Sequence, residues 1–128
     1  MKVNLFDLST KSLLQSELVQ ELTTHIIESE KADVRELNVI IVNDSYLRDL
    51  NKRFRDIDAC TNVIAFPLEE ISEIYVSYEQ AGDINELLYF VVHGLLHIIG
   101  YEHDSQEEDA RMHDKCLHYI NKFLPATH

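Results

Sequence analysis

HGLLHIIGYEH, residues 93–103, is the most informative stretch of this chain. His93 and His97 are four residues apart, so on a helix they lie on one face, about one turn from each other. Gly100 suits the end of that helix, because glycine enters the left-handed conformation at little cost. The chain can then double back and bring His103 to the same point. Three imidazoles with one open position are typical of a catalytic zinc site rather than a closed structural one.

This stretch belongs to a longer apolar segment, which predicts a central helix from about Ile84 to Ile99. A single histidine in such a helix is usually a hydrogen-bonded core residue, but the three spaced histidines together favour metal binding. The strongly apolar run ends well short of the roughly 20 residues that a membrane span needs. We therefore expect a buried helix and no membrane partner.

The histidine spacing is that of the zinc-peptidase pattern H-E-x-x-H-x-x-G-x-x-H, but Gly94 stands where that pattern has Glu. That Glu is the general base of the peptidases, so peptide hydrolysis by their route is disfavoured. A metal ion still lowers the pKa of its water towards about 7, which leaves hydrolysis of an ester with a better leaving group open. Gly94 is also expected to leave space beside the metal for a bulky substrate.

Outward from this segment, short β-branched runs predict strands and apolar residues at helical spacing predict helices. Thr10 is expected to cap the first helix and residues 43–45 the second. The predicted strands are residues 3–8, 37–42, 63–66 and 74–77, and the predicted helices are residues 10–29, 46–54, 84–99 and 105–123. The fold class is α+β (mixed α/β), with about four strands in a mixed sheet and about four to five helices in one domain, residues 1–128. The strand order is not readable from the sequence.

The chain has 128 residues, 45% of them hydrophobic, and a net charge of −12. Such an acidic chain is a poor candidate for nonspecific binding to duplex DNA, because phosphate neutralisation needs clustered Lys and Arg. A local cluster of Lys and Arg can still bind nucleic acid on a chain with a negative net charge. The N-terminus lacks a basic segment followed by an apolar stretch, so we expect a cytoplasmic location rather than export.

One basic segment stands out, LNKRFR at residues 50–55. A cluster of this kind is often a solvated helix face, but beside a metal site it is suited to holding an anion. Arg55 is our candidate for a phosphate clamp, because a guanidinium binds phosphate oxygens in a bidentate manner. Phe54 can stack on a base or pack against the protein.

Three motifs together resemble the YbeY family, bacterial metal-dependent endoribonucleases linked to ribosomal RNA maturation. Residues 93–103 are similar to the family's histidine signature, residues 50–55 to its L-N-x-x-[YF]-R, and TNVIAFP at residues 61–67 to its T-D-V-L-S-F-P. The three segments occur in the family's order and span about the central half of the chain.

The resemblance implies one Zn²⁺ per chain held by His93, His97 and His103, with Arg55 in the catalytic cleft and these four residues forming the catalytic set. It implies a single-stranded RNA substrate and a role in 3′-end maturation of 16S ribosomal RNA and in ribosome quality control. The partners implied are ribosomal RNA and small-subunit ribosomal proteins or a GTPase assembly factor, without DNA or membrane. A mixed sheet with surrounding helices is implied as well.

The chain departs from the family's pattern at four places, Asn62, Ala65, residues 72–74 and Glu102. None of them is a predicted metal ligand or Arg55. The sequence shows no general base, and either water or the ribose 2′-hydroxyl can be the nucleophile. Asp104 can orient an imidazole or cap the last helix.

Two other functions remain open. One is a ribosome-associated binding factor whose zinc is structural, and the other is a zinc peptidase.

Overall fold

The computed structural model describes residues 2–102 and 104–123. Within these residues the elements are β1 (Lys2–Asp7), α1 (Ser16–Ser29), β2 (Glu36–Val42), α2 (Asp44–Arg55), β3 (Val63–Phe66), β4 (Ile71–Ser77), α3 (Ile84–Ile99) and α4 (Gln106–Phe123). The predicted α+β class is confirmed, with one four-stranded mixed sheet and α3 as the histidine-bearing helix. No helix in the described part of the chain is long and apolar enough to cross a lipid bilayer.

The sheet has the strand order β1-β2-β4-β3. β1, β2 and β4 run parallel to one another, and β3 pairs antiparallel with β4. β3 therefore lies at one edge of the sheet, with β4 on one side of it.

Three helices cover one face of the sheet, and one helix covers the other. Side chains alternate along a strand, so Val39 and Ile41 of β2 join the main core while Ile40 and Val42 face the other way. The main core is formed with α1, α3 and α4, and the smaller cluster is formed with Leu47 of α2. α3 lies on the same sheet face as α1 and α4, and packs directly on β3 and β4.

The first helix begins later than predicted. Thr10 has a φ of 62°, which is incompatible with capping a helix at this point, and α1 begins at Ser16. The turn before it is organised by Asp7, whose carboxylate accepts hydrogen bonds from the N–H groups of Ser9 at 2.9 Å and Leu13 at 2.8 Å. The Thr10 prediction was wrong because a side chain from the preceding strand holds these residues in a turn.

The fourth strand begins at Ile71, three positions before the predicted start. The reason is its partner, because the parallel register pairs Ile71 with Glu36 at the beginning of β2 and continues to Val42 and Ser77. β2 thus extends β4 beyond the residues that have strand-like composition.

The last helix is capped by Ser105 rather than by Asp104, so the capping role considered for Asp104 was wrong. The Glu108 N–H donates to Ser105 Oγ at 3.1 Å, and the Ser105 hydroxyl donates to the Glu108 carboxylate at 3.2 Å. Ser105 thus caps α4 by accepting from the Glu108 N–H, and the Ser-x-x-Glu spacing is that of a capping box, although the Glu108 carboxylate bonds the Ser105 hydroxyl instead of its N–H.

Candidate active site

Two histidines of α3 face one cleft. His93 is half-buried and His97 is exposed in the last turn of the helix. Both line a cavity of about 170 Å³ between α3, β3 and the end of α2. The cavity lies near the C-terminus of α3, where the helix dipole is negative and favours a cation.

Gly94 lies between these histidines and packs against the sheet. A Cβ atom at this position would lie 2.7 Å from Cγ2 of Ile74 and 3.1 Å from Cγ2 of Val63. Real Cβ atoms essentially never approach at the shorter of these distances, so the residue must be glycine for α3 to lie this close to β3 and β4. Gly94 also lines the cleft, so this packing role is additional to the expected one of leaving space for substrate, which stays a prediction.

Tyr89 lies one turn before His93, and the centres of the two rings are 6.2 Å apart. Its hydroxyl is 2.6 Å from Nδ1 of His113 on α4. Burial raises the pKa of Tyr89 to about 12. Tyr89 therefore packs between the cleft histidine and α4.

Arg55 enters the cleft from the end of α2. The helix ends there because Asp56 has a φ of 56°, and the Asp56 N–H donates to the carbonyl of Asn51. The buried Asn51 side chain also donates to the carbonyl of Ala59 at 3.0 Å, which holds the loop before β3 against α2. This local structure turns the chain sharply after Arg55 and leaves its side chain at the cleft.

Two other arginines of α2 are neutralised, one before the basic segment and one within it. Arg48 pairs with Asp58 at 2.8 Å and Arg53 with Asp49 at 3.1 Å. Within the described residues no carboxylate forms an ion pair with Arg55. Phe54 is 64% exposed and packs edge-to-face on Phe66, with ring centres 5.4 Å apart. Of the predicted cluster, Arg55 is thus at the cleft, Arg53 is paired with Asp49 and Phe54 packs on Phe66.

The opposite wall of the cleft is β3, which contributes Val63, Ile64 and Ala65. The sequence predicts a strand at residues 63–66 but not its position beside the histidines. The lining by β3 depends on the strand order, because an edge strand has unpaired N–H and C=O groups along one side. The motif at residues 61–67 was the available signal.

The electrostatics of the cleft differ from those of the chain as a whole. None of the seven described residues that line it is Asp or Glu, and Arg55 supplies a positive charge. A larger cavity, of about 640 Å³, lies beside the end of α3 and has four carboxylates in its lining, those of Glu30, Asp33, Glu69 and Glu70. Lys31 and Arg35 also line the larger cavity, so its lining is acidic on balance, whereas the smaller cleft has the Arg55 side chain for an anion beside its histidines.

Three of the four predicted site residues, Arg55, His93 and His97, thus meet in one cleft. His103 lies outside the described residues. Among residues 2–102 and 104–123 the structure forms no group of three His, Cys, Asp or Glu side chains that could hold a metal ion. The three-histidine metal site remains a prediction.

A family model and the relatives compared with this chain all indicate the same family. The family model described as Endoribonuclease YbeY matches residues 5–124. The Endoribonuclease YbeY of Acholeplasma laidlawii (strain PG-8A) is 32% identical over 136 aligned positions, covering 95% of this chain and 96% of that protein. The Endoribonuclease YbeY of Thermotoga maritima is 35% identical over 119 positions, covering 83% of this chain and 79% of that protein.

A solved structure agrees with the sequence comparisons. The solution structure of TM1509 from Thermotoga maritima superposes with a TM-score of 0.66 at 33% identity, covering 96% of this chain and 89% of that one. The protein class indicated by this fold, this cleft and these relatives is that of hydrolases that cleave RNA internally. Within that class, the chain belongs to the endoribonuclease YbeY family.

Proposed function

We propose that this endoribonuclease is metal-dependent and specific for single strands, and that it acts in the cytoplasm in 3′-end maturation of 16S ribosomal RNA and in ribosome quality control. Small-subunit ribosomal proteins or a GTPase assembly factor would bring it to its RNA. The observation that carries the catalytic part is the shared cleft of Arg55, His93 and His97, in which no described lining residue is acidic.

In this proposal His93, His97 and His103 hold one Zn²⁺. The fit rests on donor chemistry, because two imidazoles one turn apart on α3 line the same cleft and imidazole is a preferred zinc ligand. The chemistry that such an ion supplies is polarisation of a phosphoryl oxygen and a lowered pKa of water.

Arg55 binds the phosphate that is to be cleaved. Its guanidinium has no carboxylate partner among the described residues, so its donors are available to the non-bridging phosphoryl oxygens. As negative charge develops on these oxygens in the transition state, a fixed cation beside them becomes more stabilising. The position of Arg55 at the end of α2 places this charge at the cleft before the substrate binds.

The attacking group is either water or the ribose 2′-hydroxyl. No carboxylate lines the described cleft, so a carboxylate base is absent from this part of the site. The two routes leave different RNA ends, because attack by the 2′-hydroxyl gives a 2′,3′-cyclic phosphate and attack by water does not.

The size of the cleft supports a single-stranded substrate. At about 170 Å³ it is smaller than the roughly 300–1,000 Å³ of pockets that enclose drug-sized ligands. It accommodates a phosphodiester with its neighbouring sugar more readily than a paired helix, and unpaired bases can turn away from it.

The proposal is tested by Arg55→Lys, with Arg53→Lys as the matched control. Both changes keep a positive charge in the last turn of α2, but only Arg55 lines the cleft. We expect Arg55→Lys to lower kcat/KM by about 10- to 100-fold on a 3′-extended 16S fragment, since a bidentate charged hydrogen bond is lost. Arg53→Lys should cleave like the wild type, and both proteins should cleave the fragment poorly when its complement is annealed. Equal cleavage by the two variants would contradict the role of Arg55, and equal cleavage of single and paired strands would contradict the specificity.

A further inference from the structure

The edge strand β3 has main-chain groups that do not point towards β4. The Ser77 N–H donates to the carbonyl of Asn62 at 3.0 Å, and these two residues continue the register of the ladder. In an antiparallel ladder, directly opposed residues alternate between bonded and non-bonded pairs. Ile64 is therefore bonded to β4, whereas the N–H and C=O groups of Val63 and Ala65 point away from it.

A second hydrogen bond agrees with this assignment. The Tyr78 N–H, which follows Ser77, donates to the carbonyl of Val42 of β2 at 3.0 Å. The N–H and C=O groups of successive β4 residues thus point alternately towards β3 and towards β2. Val76, opposite Val63, faces β2, as the assignment requires.

This free edge is a wall of the cleft. Val63, Ile64 and Ala65 all line the cavity, although the Ile64 side chain packs with Leu47 on the opposite sheet face. Ile64 therefore lines the cavity with its main chain, while Val63 also directs its side chain towards Gly94 of α3. The β3 main chain is thus part of the wall opposite the histidines. The Thr61 hydroxyl donates to the Val63 carbonyl at 3.5 Å, and no other hydrogen bond to the outward groups of Val63 and Ala65 occurs among the described residues.

We propose that the free edge of β3 is a docking edge for the RNA strand, with the outward N–H and C=O groups of Val63 and Ala65 pairing with uncharged donor and acceptor groups of unpaired RNA. This inference rests on the proposed function, because it places the strand beside the phosphate that Arg55 binds. It adds a role for the main chain that the side-chain motifs do not contain.

The alternation of donors and acceptors determines what the edge can bind. A carbonyl beside each N–H repels phosphate oxygens, so the edge is suited to groups that both donate and accept. The ribose 2′-hydroxyl and the edges of unpaired bases have this chemistry. The two outward amides are about 7 Å apart along the strand, so neighbouring nucleotides can meet them in turn. In a duplex the base edges are already paired, which makes this contact selective for single strands.

The test removes one outward N–H. Proline is tolerated in an edge strand where its missing N–H faces away from the ladder, so Ala65→Pro deletes the proposed donor and no bond to β4. We expect it to lower kcat/KM on a single-stranded oligoribonucleotide by about three- to tenfold. The control is Val3→Pro in β1, the strand at the other edge of the sheet. The bond from the Leu8 N–H to the Ile41 carbonyl, 2.9 Å, shows that the Val3 amide also points outward. This control should cleave within about twofold of the wild type.

Two further measurements complete the test. If Ala65→Pro does not fold by circular dichroism, a backbone ester at residue 65 removes the same N–H with the side chain kept, and the same loss is expected. A substrate with one 2′-deoxy or one abasic nucleotide beside the cleavage site identifies the partner, since the Ala65→Pro penalty should disappear for the substrate that lacks it.

Full activity of the Ala65→Pro protein or of the ester, or an unchanged penalty on both modified substrates, would overturn the docking edge while leaving the proposed function intact. If the wild-type protein itself fails to cleave the oligoribonucleotide, the proposed function is wrong.

Discussion

At the scale of single residues, Gly94 connects packing with the arrangement of the cleft. Gly94 is a buried residue of α3 that follows His93. Ile74 and Val63 of the sheet occupy the space that a side chain would need. The same crowding explains why the zinc-peptidase Glu is absent, since its longer side chain would meet the fully buried Ile74. The departure from that motif therefore has a steric reason in addition to its chemical consequence.

Gly94→Ala is predicted to destabilise the fold. The added methyl would lie 2.7 Å from Ile74, which forces α3 away from the sheet at a cost of about 1–3 kcal/mol in the free energy of unfolding. The measurement is chemical denaturation monitored by circular dichroism. Gly82→Ala is the control, because its Cβ would meet no atom nearer than 4.0 Å. Equal stability of the Gly94→Ala protein and the wild type would show that α3 does not pack as described.

At the scale of elements, Glu30 joins three helical regions. It follows α1 and accepts hydrogen bonds from the hydroxyls of Tyr101 (2.6 Å) and Tyr119, and it pairs with Lys115 of α4 at 3.2 Å. Tyr101 is two positions before His103 in the sequence. Glu30 thus ties the chain that follows α3 to both α1 and α4.

The charge of Glu30 is predicted to give a pH-dependent contribution to stability. Burial would raise the pKa of Glu30, but hydrogen bonds from the two tyrosines and Lys115 outweigh it and hold this pKa below its ordinary value of 4.5. A lowered pKa in the folded state contributes stability above pH 4.5 that is lost as pH falls further. Glu30→Gln should cost about 1–3 kcal/mol near pH 7 and progressively less below pH 4.5.

The measurement is urea denaturation of both proteins from pH 7 to pH 3. Glu28→Gln, an exposed position on the same helix, is the control and should match the wild type throughout. If the free energies of unfolding of Glu30→Gln and the wild type differ by the same amount from pH 7 to pH 3, the charge of Glu30 contributes nothing to stability.

The sequence predicted elements best where local signals determine them. α3 follows from its apolar run and ends at Gly100, whose φ is 125°, and Asn43 caps α2 by accepting from the Tyr46 N–H at 2.8 Å. The start of α1 was wrong because the Asp7 carboxylate holds the preceding turn, and β4 was too short because β2 extends it. Both errors involve contacts that composition and periodicity do not report.

At the scale of the whole molecule, the strand order decides what the site contains. The histidines and Arg55 were predicted from their motifs, and the structure places three of them together. The participation of the β3 main chain was not predictable, because it depends on long-range pairing that leaves Val63 and Ala65 at an edge. The distribution of charge is also a property of the fold, since a chain with a net charge of −12 forms a cleft in which none of the lining residues that the structure describes is a carboxylate.

The central claim is that the cleft of α3 holds a metal and cleaves RNA. It is tested most directly by measuring metal content and RNA cleavage together, on untagged wild-type protein, His97→Ala and His118→Ala. His118 is exposed on α4 and outside the cleft, so it controls for the loss of any histidine. About one zinc per chain is expected in the wild type and in His118→Ala, and His97→Ala should lose both the metal and the cleavage while it remains folded. A His97→Ala protein that keeps its metal and cleaves RNA normally would contradict this account, and one that unfolds on losing its zinc would indicate a structural metal instead.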